Sequence, residues 1–172
     1  MITDLGPMPT DRRMRTVDEQ LVHAPAARMH ALAAAVEDWP ALLPHYRFVR
    51  FRSRNNARGG VVEMSANRPF GIIDWPTWWL SEMVVTDHTV RFRHIGGITT
   101  GMDVEWTFEH DGPHAGRAAT RVRIVHVWNG PPVPVIGPVA AVGVIGPVFV
   151  HGIASRTLAG LARVAERTME NG

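Results

Sequence analysis

The 172-residue chain contains no cysteine, which excludes disulfide frameworks, thiolate nucleophiles and cysteine zinc sites together. Lysine is also absent, so all 18 basic residues are arginines, set against 16 acids for a net charge of +2. The arginines are dispersed rather than massed, which argues against a nucleic-acid surface. Charge is missing locally as well: no Asp, Glu, Lys or Arg falls between Arg123 and Arg156. By length that run could span a bilayer. Pro131, Pro132, Pro134, Pro138 and Pro147, with glycines among them, would break a spanning helix and leave backbone groups unpaired in lipid. Met1 to Thr10 carries Asp4 and no apolar run, so it reads as neither signal nor transit peptide, and a cytoplasmic location is expected.

What is present suffices for one core, since 45% of the residues are hydrophobic. Residues 1–12 read as a flexible tail and 13–170 as a single domain. Arg15 to His23 reads as a strand, ended by Ala24-Pro25. Ala26 to Val36 follows as a helix with Met29, Leu32, Ala33 and Val36 on one face. Trp39-Pro40 is expected to stop it, and a short turn over Ala41 to Leu43 leads to Pro44. Strands then read as Tyr46 to Arg54, Val61 to Arg68, Asp74 to Val85, Thr89 to Ile95, Met102 to His110 and Arg117 to Trp128. A long helix from about Val148 to Met169 closes the chain, with Phe149, Ile153, Leu158, Leu161, Ala165 and Met169 as its stripe.

Alternation along the last three strands separates two chemistries. Val90, Phe92, His94, Met102, Val104, Trp106, Phe108, Val122, Ile124, His126 and Trp128 share one face. Arg91, Arg93, Asp103, Glu105, Glu109, Arg121 and Arg123 share the other, where opposite charges can pair across the ladder. The charged face is expected to be solvated. The apolar face then looks inward, and a curved sheet on one long helix can enclose either a packed core or a ligand cavity.

The order strand, helical pair, six strands and long helix resembles the helix-grip fold of the START-like superfamily. His23-Ala24-Pro25-Ala26, the run from Asp38-Trp39-Pro40 to His45-Tyr46, and Leu158 to Glu166 resemble motifs of the polyketide cyclase/dehydrase and coenzyme-Q-binding families. The resemblance runs from about Arg15 to Arg167. It implies an α+β helix-grip fold, a curved antiparallel β-sheet of about seven strands wrapped around a long C-terminal helix, with two short helices after the first strand. Trp39 and Tyr46 keep the spacing of the pair that lines the cavity mouth in bacterial aromatase/cyclases. Arg68-Pro69 followed by Trp78-Trp79-Leu80-Ser81 is similar to their Arg-Pro loop and Trp-x-Ser strand. Where the cyclases carry an arginine that polarises the polyketide carbonyl, this sequence has Met83, which removes the main electrostatic partner of an enolate.

A histidine is the side chain best suited to replace it in proton transfer. His126, Ser81 and Tyr46 are therefore the catalytic candidates. The ligand-binding candidates are Trp39, Tyr46, Trp79, Ser81, Met83, Phe92, His94, Trp106, His126, Trp128 and Phe149. Trp79 beside Ser81 can stack a planar ligand and orient it. His94 and His126 lack an evident third ligand, so neither a metal nor a cofactor is expected. The resemblance, with the apolar inner face, implies binding of a hydrophobic small molecule, polyketide-, aromatic- or isoprenoid-like, either with cyclase or dehydratase chemistry or as a non-catalytic lipid or quinone carrier. An accessory protein with a vestigial cavity is a third reading. Residues 131–150 read as a lid or a transient membrane contact. The oligomeric state is not legible.

Overall fold

The computed structural model describes residues 4–55, 59–70, 73–114, 117–130 and 146–170. Within those spans the side chains of 68–70, 73–75, 114, 117, 146–150 and 168–170 lie outside the description.

Strand β1 (Met14–Val22) buries Met14, Asp18 and Val22 and turns Arg15, Val17 and Glu19 outward, the period-two signature of a half-buried strand. Extended Pro25 then caps helix α1 (Ala26–Ala34), whose Met29 and Ala33 are fully buried. The helix expected to continue through Val36 instead ends at Ala34. A 3-10 turn follows over Val36–Asp38, and Trp39-Pro40 opens a new helix, α2 (Trp39–Leu42), rather than stopping one. Proline is acceptable there because the first turn of a helix needs no donor from it. The bond from Leu43 N to Trp39 O (2.7 Å) closes the turn.

Six strands follow: β2 (Tyr46–Arg54), β3 (Gly60–Phe70), β4 (Ile73–Val85), β5 (Thr89–Gly97), β6 (Asp103–His114) and β7 (Arg117–Trp128). With β1 they form one antiparallel sheet in the order β1-β7-β6-β5-β4-β3-β2. Helix α3 (Gly146–Glu170) lies across the inner face against β1, β3, β7, α1 and α2. This is a curved seven-stranded sheet gripping a C-terminal helix, an α+β helix-grip fold. Leu158, Leu161, Ala162 and Ala165 bury the helix stripe, and Val22, Met29, Val62, Met83, Ile124 and Trp128 meet it from the sheet and α1. No helix among the described residues is long and apolar enough to cross a membrane. The stretch 131–145, read above as part of a lid or membrane contact, lies outside the described residues.

Glycines let two pieces of the fold approach closely. A Cβ on Gly160 would sit 2.2 Å from Leu43 Cδ2, so the bare backbone of α3 admits the loop after α2. Gly97 has φ +88°, and its Cβ would meet Trp78 O at 2.4 Å, where β5 folds against β4 beside the irregularity at Leu80 and Ser81.

The outer face of β5, β6 and β7 carries the expected charge ladder, with two corrections. Arg93 meets Asp103 at 2.8 Å and Arg91 meets Glu105 at 3.4 Å, as their register dictates. Arg121, however, faces Glu109 in register but pairs with Glu19 and Asp111, both at 2.8 Å. Nor is the whole face solvated. Asp103 is 1% exposed and Leu5 5%, because the chain near Leu5 lies over this ladder: Arg93 Nη2 donates to Leu5 O at 2.9 Å and Arg91 Nη1 to Gly6 O. The beginning of the chain, expected as a flexible tail, is tied to the sheet at these residues by guanidinium groups that need more acceptors than the ladder supplies.

Candidate functional site

The inner face of the sheet encloses a cavity of about 80 Å³ that opens to the surface where Trp78 and Ile98 stand 43% and 48% exposed. Its body is aromatic. Trp39 sits edge-on to Tyr46, with ring centroids 5.2 Å apart, and tilted against Trp106 at 5.9 Å. Tyr46 continues the cluster to Trp79 at 6.3 Å, and Trp79 stacks on His94 at 6.0 Å with an interplanar angle of 16°. The indole N–H of Trp39 is already spent on Leu32 O (3.0 Å), so this residue offers the cavity only its ring. At the rim, Trp78 Nε1 donates to Glu63 Oε1 at 2.7 Å. The Arg50 hydrogen bond, followed by those from Trp78 and Arg52, holds the Glu63 carboxyl down at about 2, so the anchor of Trp78 is a stable carboxylate.

Polar groups are few and mostly engaged. Thr157 on α3 donates back to Ile153 O at 2.8 Å. With its proton placed there, Thr157 Oγ1 accepts from Tyr46 OH at 3.2 Å and from His45 Nε2 at 3.1 Å. Tyr46 therefore shows the cavity lone pairs rather than a proton, and burial raises its pKa further above the phenol range. Burial, and then the charge of Arg156, lowers His45 to about 4. Burial lowers His94 to about 3 and, joined by the neighbouring His94, lowers His126 to about 3. Both cavity histidines are thus neutral at physiological pH. His94 Nδ1 bonds Thr99 Oγ1 at 2.6 Å, whereas His126 Nδ1 is buried with no hydrogen-bond partner among the described residues.

The structure brings Trp39, Tyr46, Trp79, Phe92, His94, Trp106 and His126 together around the cavity. Three other candidates stand elsewhere. Ser81 is 0% exposed and its Oγ has no partner. Met83 is packed into the core at 1% exposure. Trp128 is a core residue whose Nε1 donates to Thr100 O at 2.9 Å, pinning the β5–β6 hairpin. Alternation assigned all three to the inner face, but it reports the side of a strand and not the depth at which a side chain ends. The fourth, Phe149, lies in the first turn of α3 with its side chain outside the description.

The sequence reading missed Thr157, Thr77, Thr99, Trp78 and Met64 as lining residues. A signal existed for Thr157, which stands between Ile153 and Leu161 at helical spacing, a hydroxyl inside an apolar stripe. Thr77 shares the alternation of Trp79. Trp78 points to the other face and reaches the rim beside the Leu80/Ser81 irregularity, which period-two reading does not anticipate.

No charged side chain is among the described lining residues, and no cluster of three His, Asp or Glu suited to a metal occurs among the described residues. The arrangement can therefore stack and desolvate an apolar body and offer neutral hydrogen-bonding groups, but it places no cation against a developing enolate.

These features agree with what the chain is similar to. Many solved structures share its fold, three of them as follows. The Zhui aromatase/cyclase from Streptomyces sp. R1128 is 14% identical, with a TM-score of 0.69 over 91% of this chain and 95% of that one. A START superfamily protein from Mycobacterium smegmatis is 17% identical, with a TM-score of 0.63 over 91% and 97%. TTHA0849 from Thermus thermophilus is 16% identical, with a TM-score of 0.64 over 90% and 99%. No curated protein sequence matches. A family model described as polyketide cyclase / dehydrase and lipid transport matches residues 22–145, most of the sheet and both short helices, and with the gripped helix of the fold this places the chain in the START-like polyketide cyclase/dehydrase family.

Proposed function

We propose that this protein binds a hydrophobic small molecule of polyketide-, aromatic- or isoprenoid-like type in the aromatic cavity, holding it without acid–base chemistry of its own. The observation that carries this reading is the lining: aromatic rings from five elements, two neutral histidines and no charged side chain among the described residues. The volume of about 80 Å³ exceeds the ~10–15 Å³ one water needs and falls below the ~150 Å³ that encloses a benzene ring. A larger ligand enters by extending through the mouth or by moving side chains around Trp78 and Ile98. A cytoplasmic location belongs to the same proposal.

Cyclase or dehydratase chemistry is the second reading, favoured by one observation, the unpartnered Nδ1 of His126 facing a cavity with the fold of an aromatase/cyclase. The two readings separate by experiment. Mass spectrometry of organic extracts of the purified protein is expected to find a stoichiometric apolar compound, and Trp79→Ala is expected to lose it. Extracts that hold no such compound, together with unchanged tryptophan fluorescence on adding aromatic ligands, would remove the binding reading. A changed product spectrum from an aromatic polyketide chain, abolished by His126→Ala, would replace holding by catalysis.

A further inference from the structure

The inner face of the pair β1–β7 carries three buried polar atoms with no hydrogen-bond partner among the described residues, Thr16 Oγ1, Asp18 Oδ2 and His126 Nδ1, while a fourth, Arg123 Nε, belongs to the outer charged face. They belong together by register, since Thr16 opposes His126 and Asp18 opposes Ile124. Directly opposed residues of an antiparallel pair project to the same face. His126 and Ile124 line the cavity, so Thr16 and Asp18 project to the cavity side of the sheet.

Asp18 is the informative member. Its side chain is 3% exposed, and Oδ1 meets His151 Nδ1 of α3 at 2.5 Å. One oxygen is therefore held by the helix while the other is left in the interior. A buried acceptor without a donor costs about 1–3 kcal/mol, and three unpaired polar atoms at one seam are what a fold retains where a polar group is to be received. The chemistry of that group follows from the three side chains. A carboxylate only accepts, whereas the threonine hydroxyl and a neutral imidazole supply either role. The guest must donate to Asp18 and can accept from Thr16 or His126, which describes a hydroxyl. An anionic guest would set a second negative charge beside Asp18 in a desolvated place, with His151 already engaged.

We propose that the seam of β1 and β7 beside the cavity wall at His126 and Ile124 is a subsite for the hydroxyl of an otherwise apolar ligand, selecting a neutral alcohol or phenol over the corresponding acid. It rests on the binding reading above and narrows its ligand class. Carbon bodies too large for the cavity extend from His126 toward the mouth.

The test compares naphthalene, 2-naphthol and 2-naphthoate by calorimetric titration at neutral pH, with the folded state of each variant checked by thermal melting. Wild-type protein is expected to bind 2-naphthol at least tenfold more tightly than either of the others. Asp18→Asn is expected to reduce the preference for 2-naphthol over 2-naphthoate tenfold, and Thr16→Val to reduce the preference over naphthalene severalfold. Equal affinities for all three probes in the wild type, or preferences that neither variant alters, would overturn the subsite while leaving the binding reading intact. Absence of binding by all three overturns both.

Discussion

Ser81 shows how a residue can match a catalytic pattern and yet stand outside the lining of the cavity. It lies on the inner face of β4, opposite His94 and Val62, with no exposed surface and an Oγ that finds neither donor nor acceptor among the described residues. An orphaned buried hydroxyl carries its desolvation cost without return, on the order of 1–3 kcal/mol. Replacing it with a methyl group removes that cost and leaves the rest of the side chain in place. Ser81→Ala is therefore expected to match or exceed wild-type stability, by up to about 1 kcal/mol in urea unfolding, and to bind aromatic ligands unchanged. A loss of more than about 1 kcal/mol, beyond the usual scatter of a neutral substitution, would mean that the hydroxyl is bonded in the folded protein.

At the scale of elements, the contact between Gly160 and Leu43 sets how closely α3 approaches the loop after α2. Glycine inside a helix costs about 0.5–1 kcal/mol relative to alanine, so Gly160 is retained against the local propensity of α3. The reason is Leu43, 1% exposed and fixed in the core, which occupies the space a Cβ would need. Gly160→Ala is expected to destabilise by about 1–3 kcal/mol through overpacking despite its better propensity. Leu43→Ala in the same chain is expected to relieve part of that strain, so the two substitutions together should cost less than their sum in urea unfolding. Strict additivity would show that the two residues do not press on one another.

The same scale explains what could be read from the chain. Strands β2 and β7 were legible to the residue because turn residues bound them, with one face of β7 apolar besides, and the cross-strand ladder followed from alternating signs of charge. The resemblance implied a second short helix, but periodicity did not place it at Trp39–Leu42, since Trp39-Pro40 can close one helix or open the next. Tertiary contacts of Trp39 with Tyr46 and Trp106 decide between the two. For the site, alternation selected Phe92, His94, Trp106 and His126 together with Met83 and Trp128, which the curvature of the sheet buries away from the cavity. Side and depth are different quantities, and only the first has a period.

For the whole molecule, the cavity's histidines tie stability to pH. Burial holds His94 and His126 at about 3 in the folded chain against 6.5 for the free side chain, so the folded state keeps them neutral where the unfolded state protonates them. Their contribution to stability is complete above about 6.5 and is lost as the pH falls from 6.5 toward 3. Each adds a slope of up to about 1.4 kcal/mol per pH unit once the unfolded imidazole is charged. Glu63, held at about 2, loses its own contribution only below the ordinary carboxylate value of 4.5, and Asp18, raised by burial, works in the opposite sense. The interval from pH 6.5 to 4.5 therefore lies above the Glu63 window, and there the imidazoles, His45 at about 4 among them, act against the opposing Asp18; the difference between wild type and a His126 variant isolates one of them. Urea midpoints are expected to fall steadily across it, with the slope reduced by one proton in His126→Leu, and proton NMR should find both imidazoles neutral throughout. A bound apolar ligand excludes water from the same residues, so it should raise the midpoint at every pH without flattening the slope. Midpoints independent of pH in this interval would show that the two histidines take up protons inside the folded protein and that the cavity is wetter than its lining implies.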